Sequence, residues 1–368
     1  MTPARKPKGR TLAEFEPLRP AEKLLLDACW QGKVAHIAES RPEAAHENNT
    51  VRAGFLRFLA LGGDEQAPVH ERGVQLQGAW ITDALNLTSA SVPSGLRMVH
   101  CQFSEMPIFT GTNIAGTLDF TDSQLPGFFG TRMTVNGTVF LNKAKATKNV
   151  HLLGIQIDGN LECTEATFDD KEGNALFADD TVIKGTVFLK KTHATGTVHL
   201  IGAQIGGDLD CTDAIFDGEN ENRQEVDKKK SFALSADLAV IKGTVLLKQA
   251  TASGNVHLLG AQIGGDLDCA EATFDGKGGN ALSADGAVIR HSIHLDKFTA
   301  KGNVCLMGIQ VGGTLECEGA KFKGTKKQDG SHGRALSADG MKIKQTCFSE
   351  SWPTQSTESL SAAPTSVT

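Results

Sequence analysis

Apolar and small residues along most of this chain come as pairs separated by one residue, and the pairs recur at a stride near five and a half. Between Val256 and Phe274 they read Val256-x-Leu258, Ala261-x-Ile263, Leu267-x-Cys269 and Ala272-x-Phe274, with starts stepping by 5, 6 and 5. After the stretch DGKGGN the rhythm resumes at Leu282-x-Ala284, Ala287-x-Ile289, Ile293-x-Leu295 and Phe298-x-Ala300, then Val304. Positions i and i+2 share a face, which is the period of a strand. Neither a helical period nor sustained alternation fits the whole run. A strand of two or three residues, a corner and another short strand do. Four such sides predict a coil of 22 residues.

A longer repeat lies over this rhythm. VHLLGIQIDGNLEC, VHLIGAQIGGDLDC, VHLLGAQIGGDLDC and VCLMGIQVGGTLEC start at Val150, Val198, Val256 and Val304, which are 48, 58 and 48 residues apart. Self-similarity at such spacing predicts stacked units. Two coils plus an insertion account for each spacing. The insertions follow the Ala-x-Phe side, near 169–175, 217–233, 275–281 and 323–335, and are expected to be solvated loops along one edge. The rhythm extends back to Val74-x-Leu76, blurs between Phe128 and Val135, and ends at Thr346-x-Phe348. About eleven coils stacked at ~4.8 Å predict a rod on the order of 50 Å long.

Ala-x-Ile and Ala-x-Phe at a stride near five resemble the pentapeptide-repeat pattern over roughly residues 74–348. The resemblance implies a right-handed, parallel, four-sided β-helix. The alternating stride and the interrupted coils depart from strict members. The stretch VRAGFLRFLALGGDEQAPVHERGVQLQGAWI resembles the opening of a group of bacterial β-helix proteins, some labelled oxidoreductases; no residues here support that chemistry. The expected fold is therefore an all-β solenoid, a right-handed parallel four-sided β-helix with an N-terminal helical cap.

The flanks have other patterns. Residues 1–19 read as a disordered arm, 20–65 as the cap, 66–348 as the β-helix and 349–368 as a disordered tail. Leu24, Leu25, Ala28 and Cys29 have helical spacing, continued by Val34 and Ile37 after a break at Gly32. A second helix is expected from an N-cap at Asn49, through Val51, Phe55, Leu56, Phe58 and Leu59, to Gly62-Gly63. No comparable cap follows Phe348. An open coil exposes a strand edge, so a homodimer through the uncapped C-terminal coil is a candidate.

Composition narrows the function classes. The 368 residues include 40 Gly and no Tyr, with net charge −6. That balance argues against direct nucleic-acid binding. No apolar run is long enough to span a membrane, and the N-terminus lacks an apolar signal core. Cys163, Cys211, Cys269 and Cys317 share one inward position two coils apart, beyond disulfide reach, and read as buried thiols suited to the cytoplasm.

His151, His199 and His257 are the outward residues of the Val-His-Leu side, with Cys305 in the fourth copy. Glu162, Asp210, Asp268 and Glu316 point outward two sides later, with Gln156, Gln204, Gln262 and Gln310 between. Adjacent sides diverge, so these do not converge on one catalytic cluster. GAQIGG lacks the spacing and following helix of a dinucleotide loop. No cofactor, metal or catalytic residue is predicted. The expected function is a non-enzymatic scaffold holding a protein partner through a β-helix face or the loop edge. The candidate contacts are Lys228, Lys229, Lys230, Lys326, Lys327, Arg334, His151, His199 and His257. Stripes of Val182, Val240 and Val288, and of Phe188 and Leu246, offer a second surface. For some members the resemblance implies a DNA-shaped inhibitor of a DNA-handling enzyme. That alternative requires acidic stripes unbroken by Val, Phe and Leu. An enzyme with an unseen cleft is the remaining alternative.

Overall fold

The computed structural model describes residues 8–218, 232–325 and 334–344. It is a β-solenoid of about 11 coils of about 22 residues. The chain divides into two compact units, Met1–Cys163 and Thr164–Thr368.

In the C-terminal unit each coil has four sides. In the third copy the first side is Asn255–His257, the second Gln262–Ile263, the third Leu267–Asp268, and the fourth opens the longer strand Thr273–Ser283. Each pairs in parallel with its counterparts in neighbouring coils. Gln262 stands opposite Val240 and Val288, and Leu267 opposite Val245 and Ile293. The strands are short because corners interrupt them. Gly260 (φ 61°) turns the first side into the second, and Glu271 (φ 59°) turns the third into the fourth, both left-handed. The Gly264-Gly265 doublet marks another corner, but for a different reason. Its φ angles are ordinary, and a Cβ on Gly264 would collide with the carbonyl oxygen of Lys242.

The inward pairs form the core. Val256, Leu258, Ala261, Ile263, Leu267, Cys269, Ala272 and Phe274 are all at most 1 % exposed. Full burial of each large member is worth roughly 1.5–3 kcal/mol. Coil length alternates as the repeat spacing requires. Asp208 N reaches back 22 residues to Thr186, Thr244 N reaches 36 to Asp208, and Ser292 N reaches 26 to Asp266.

Two insertions begin and end inside longer strands, Thr167–Phe177 and Thr273–Ser283. Their extra residues bulge out of register between Asp169 and Asn174 and between Asp275 and Asn280, and Lys277 (φ 49°) and Gly278 (φ 83°) turn the second one in the left-handed region. Both ends of each strand must meet one neighbouring strand, so the extra residues are absorbed as register shifts near Asn174 and Asn280. The 217–233 and 323–335 insertions lie mostly outside the described residues.

The N-terminal unit holds the helices α1 (Pro20–Gln31) and α2 (Ala53–Ala60). Glu22 is fully buried at the N-terminus of α1. It accepts from Arg19 N at 3.0 Å, Arg52 N at 2.9 Å and Arg52 Nε at 2.8 Å, so its charge is fully met. Gly32 (φ 62°) caps α1 in the left-handed region.

Three expectations for this region fail. Residues 8–19 are not a loose arm: Leu12–Phe15 is a 3-10 helix, and Phe15 packs 5.5 Å from Phe55 and 5.4 Å from Phe58. Asn49 does not cap α2, because Thr50–Arg52 is a strand paired with Trp80–Thr82. Val34 and Ile37 are not helical; Ala35–His36 pairs with Leu76–Gln77. Hydrogen bonding to the first coil outweighs helix propensity here, since an unpaired edge is costly.

The blurred register near Phe128 also has a cause. Leu118 stands opposite Val139, one residue short of the 22-residue step that joins Val139 to Leu161. Phe103, Phe109, Phe120 and Phe128 fill that irregular coil, with ring centroids 5.3–6.1 Å apart.

Candidate functional site

The first-side histidines are packed, not poised. His151 lies against Phe129, His199 against Phe177 and His257 against Phe232, at centroid distances of 5.4, 5.4 and 4.7 Å. His151 Nδ1 is 2.9 Å from Thr131 Oγ1. His257 Nδ1 is 3.5 Å from Asp237 Oδ2, while Asp237 Oδ1 accepts from Leu259 N. The structure therefore brings each histidine to an aromatic ring of the preceding coil. The stacking Phe residues escaped sequence reasoning because Phe177 and Phe232 lie beside the irregular insertions.

The third-side carboxylates do structural work. Asp210 Oδ1 accepts from Thr212 N and Oγ1, and Lys190 Nζ lies 3.0 Å from Oδ2. Asp268 Oδ1 accepts from Ala270 N at 2.9 Å. They tie the corner that follows, as short acceptors commonly do. The cysteines are equally quiet. Cys163, Cys211 and Cys269 are fully buried free thiols, and burial pushes all three well above the usual thiol range. Burial pushes Cys317 up to about 12. Such thiols supply little thiolate.

Of the expected loop-edge contacts, Lys228, Lys229, Lys230, Lys326 and Lys327 lie outside the described residues. Arg334 is exposed and pairs with Asp339 at 3.0 Å.

The second side of the C-terminal unit gathers more. Nine large apolar side chains stand exposed among the described residues, and five belong to this side or the corner leading into it. Val182, Val240 and Val288 are each 37 % exposed, and Leu238 and Met307 reach 66 % and 44 %. The valines alternate in register with Gln204, Gln262 and Gln310. Exposed Lys184, Lys242, Arg290 and Lys344 close the far edge at every second coil. Gly206, Gly264 and Gly312 hold the same corner in the coils between, each pressed on the basic residue's carbonyl in the coil before. The face is thus apolar on one margin and basic on the other. The V-I-K/R string repeated at 182, 240 and 288 was the available signal.

One further convergence lies on the third side. His294 Nδ1 is 2.8 Å from Glu316 Oε2. Partial burial pushes the imidazole down, but the hydrogen bond and charge of Glu316, with Asp266 and Asp268, outweigh it and raise its pKa.

No protein-family model matches the sequence, and no curated protein matches it. Among solved structures the chain is similar to HetL, a pentapeptide repeat protein involved in heterocyst differentiation regulation, from the cyanobacterium Nostoc sp.. Identity is 16 %, over 70 % of this chain and 90 % of that one, with a TM-score of 0.17. The fold rests on the coil geometry above, not on that similarity. The chain is a parallel β-solenoid. Among the described residues, no helix is long and apolar enough to cross a membrane.

Proposed function

We propose that this chain is a non-enzymatic interaction module whose second side holds a protein partner. The carrying observation is the combined face: exposed Val182, Val240 and Val288 in one register, an apolar corner at Leu238 and Met307, and a basic margin at Lys184, Lys242 and Arg290. Apolar side chains at every second coil, interleaved with Gln204 and Gln262 and edged by charge, offer an interaction surface. The partner it fits presents an apolar segment edged by carboxylates. The face is flat and its backbone groups are paired, so docking requires little ordering of the module.

The acidic positions support this reading over mimicry of DNA. Asp210 and Asp268 alternate with Phe188, Leu246 and His294 on the third side, so no continuous acidic stripe forms. The buried thiols fit a reducing compartment such as the cytoplasm.

The test is affinity capture with the full chain and with the triple variant Val182→Glu, Val240→Glu, Val288→Glu, compared by quantitative mass spectrometry. Loss of one captured protein from the variant, with its circular dichroism unchanged, supports the reading. Identical capture by both chains removes it.

We further propose a homodimer through the last coil. Leu315, Phe322, Leu336 and Ile343 are half-buried, whereas their counterparts Leu267, Phe274, Leu282 and Ile289 are fully buried. Sedimentation showing a monomer at all concentrations sinks this part alone.

A further inference from the structure

We propose that His294, Asp296 and Glu316 form a binding site for a divalent transition-metal cation, with Zn2+ the ion its ligand set suits best. One ligand atom from each side chain lies within 4.8 Å of the others. Small side-chain rotations bring such a set to the bond lengths of about 2.0–2.2 Å that Zn2+ requires. The placement follows from the coil. His294 is the outward residue of the strand Ile293–His294, and Glu316 stands directly opposite it one coil on. Asp296 follows after the inward Leu295.

The surroundings prepare the imidazole. On its far side His294 Nε2 lies 3.8 Å from Asp266 Oδ1, which also accepts from Ser292 N at 2.8 Å. At that distance Asp266 acts on the imidazole through its charge and not through a hydrogen bond. Asp296 is anchored in the same way, with Oδ1 accepting from Glu318 N at 2.9 Å.

The repeat supplies an independent argument. The equivalent sets one and two repeats earlier are Leu246, Lys248 and Asp268, and Phe188, Lys190 and Asp210, and Lys190 neutralises Asp210 at 3.0 Å. The set at His294 replaces the apolar residue with histidine and the lysine with aspartate. It therefore loses the neutralising cation and gains two ligands at once. The nearby Lys297 does not substitute for it, because its ammonium pairs with Glu271 at 3.4 Å.

The donors select the ion class. One imidazole with two carboxylates suits Zn2+ or Co2+, whereas Mg2+ and Ca2+ take oxygen donors alone. Three protein ligands leave a coordination position for water. The site is independent of the partner proposed for the second side.

The test is calorimetric titration of the chelator-treated full chain with ZnCl2, with CoCl2 absorption as a second readout. The wild type should take up one ion in a saturable step, and Co2+ should give a visible ligand-field band. His294→Phe and Asp296→Lys install side-chain types that other copies carry at these positions, so both should fold; each should abolish that step and the band. Asp266→Asn removes a negative charge beside the imidazole and should weaken the step. Wild-type-like titrations in both ligand variants, or no saturable step in the wild type, overturn the proposal.

Discussion

The first-side histidines His199 and His257 sit on the same unit as His294 and mean something different. His199 and His257 occupy a position where successive copies agree, each ring against a Phe of the preceding coil. In the fourth copy Cys305 stands there instead, and the strand keeps its register with Leu282–Ser283 and Leu336–Ser337. His294 occupies a position where the copies carry Phe188 and Leu246, and it meets a carboxylate at 2.8 Å. In a repeat, agreement between copies reports what the coil needs to stack. Departure from agreement reports something the coil does not need, and that is where chemistry can be added without disturbing the ladder.

The comparison breaks most directly if agreeing inward positions do not carry the stability. Phe274→Ala should lower stability by about 3–5 kcal/mol, read as a fall in the urea midpoint. A near-neutral result would mean that the inward column is not the core.

The non-repeating cap sharpens the contrast, since one ion pair there replaces a distributed column. Burial pushes Glu22 up, but hydrogen bonds from Arg52 and Arg19 N outweigh it, so its carboxyl sits below the usual range. Its contribution is therefore present above the unfolded value of about 4.3 and is lost as pH falls through the lowered folded value. Acid titration followed by Trp30 fluorescence should show the cap loosening below about pH 4.3, and Glu22→Gln should remove that pH dependence. An unchanged acid profile in the variant contradicts this assignment.

The two glycine types come next. Gly260→Ala should cost about 1–2 kcal/mol, because its left-handed corner is held by Leu238 one coil earlier. Gly264→Ala should cost more, since its Cβ meets the Lys242 carbonyl and not a conformational preference. Thermal melts of the two variants decide the order. The smallest effect is expected at the agreeing histidine: His257→Phe should change stability by no more than about 0.5 kcal/mol. A larger loss would show that the ring carries more than packing.

These expectations divide along the same line as what could be read beforehand. The coil was legible because one inward pair per side repeats from Val150 to Phe298 between the insertions, with only Thr181 and Thr192 polar among the inward positions of the uninterrupted sides. The 22-residue step and the position of each insertion followed. The points where 275–281 leaves the ladder and rejoins it did not, because they depend on the strand Thr299–Cys305 beside it. The order in residues 8–19 was hidden too: nothing near Phe15 shows that Phe55 and Phe58 wait for it some forty residues on.

The sequence by itself determined the coil, its length and which side chains face inward, since these depend on spacing within a few residues. Only the tertiary structure decided which outward side chains become neighbours. Val182 meets Gln204, and His294 meets Glu316, through ladder hydrogen bonds between residues a full coil apart. A one-residue change in coil length, like that between Leu118 and Val139, is absorbed at a corner, and the same sides stay opposite before and after it. Surface sites on a solenoid are therefore set by which side chains stack across neighbouring coils, which no local pattern states.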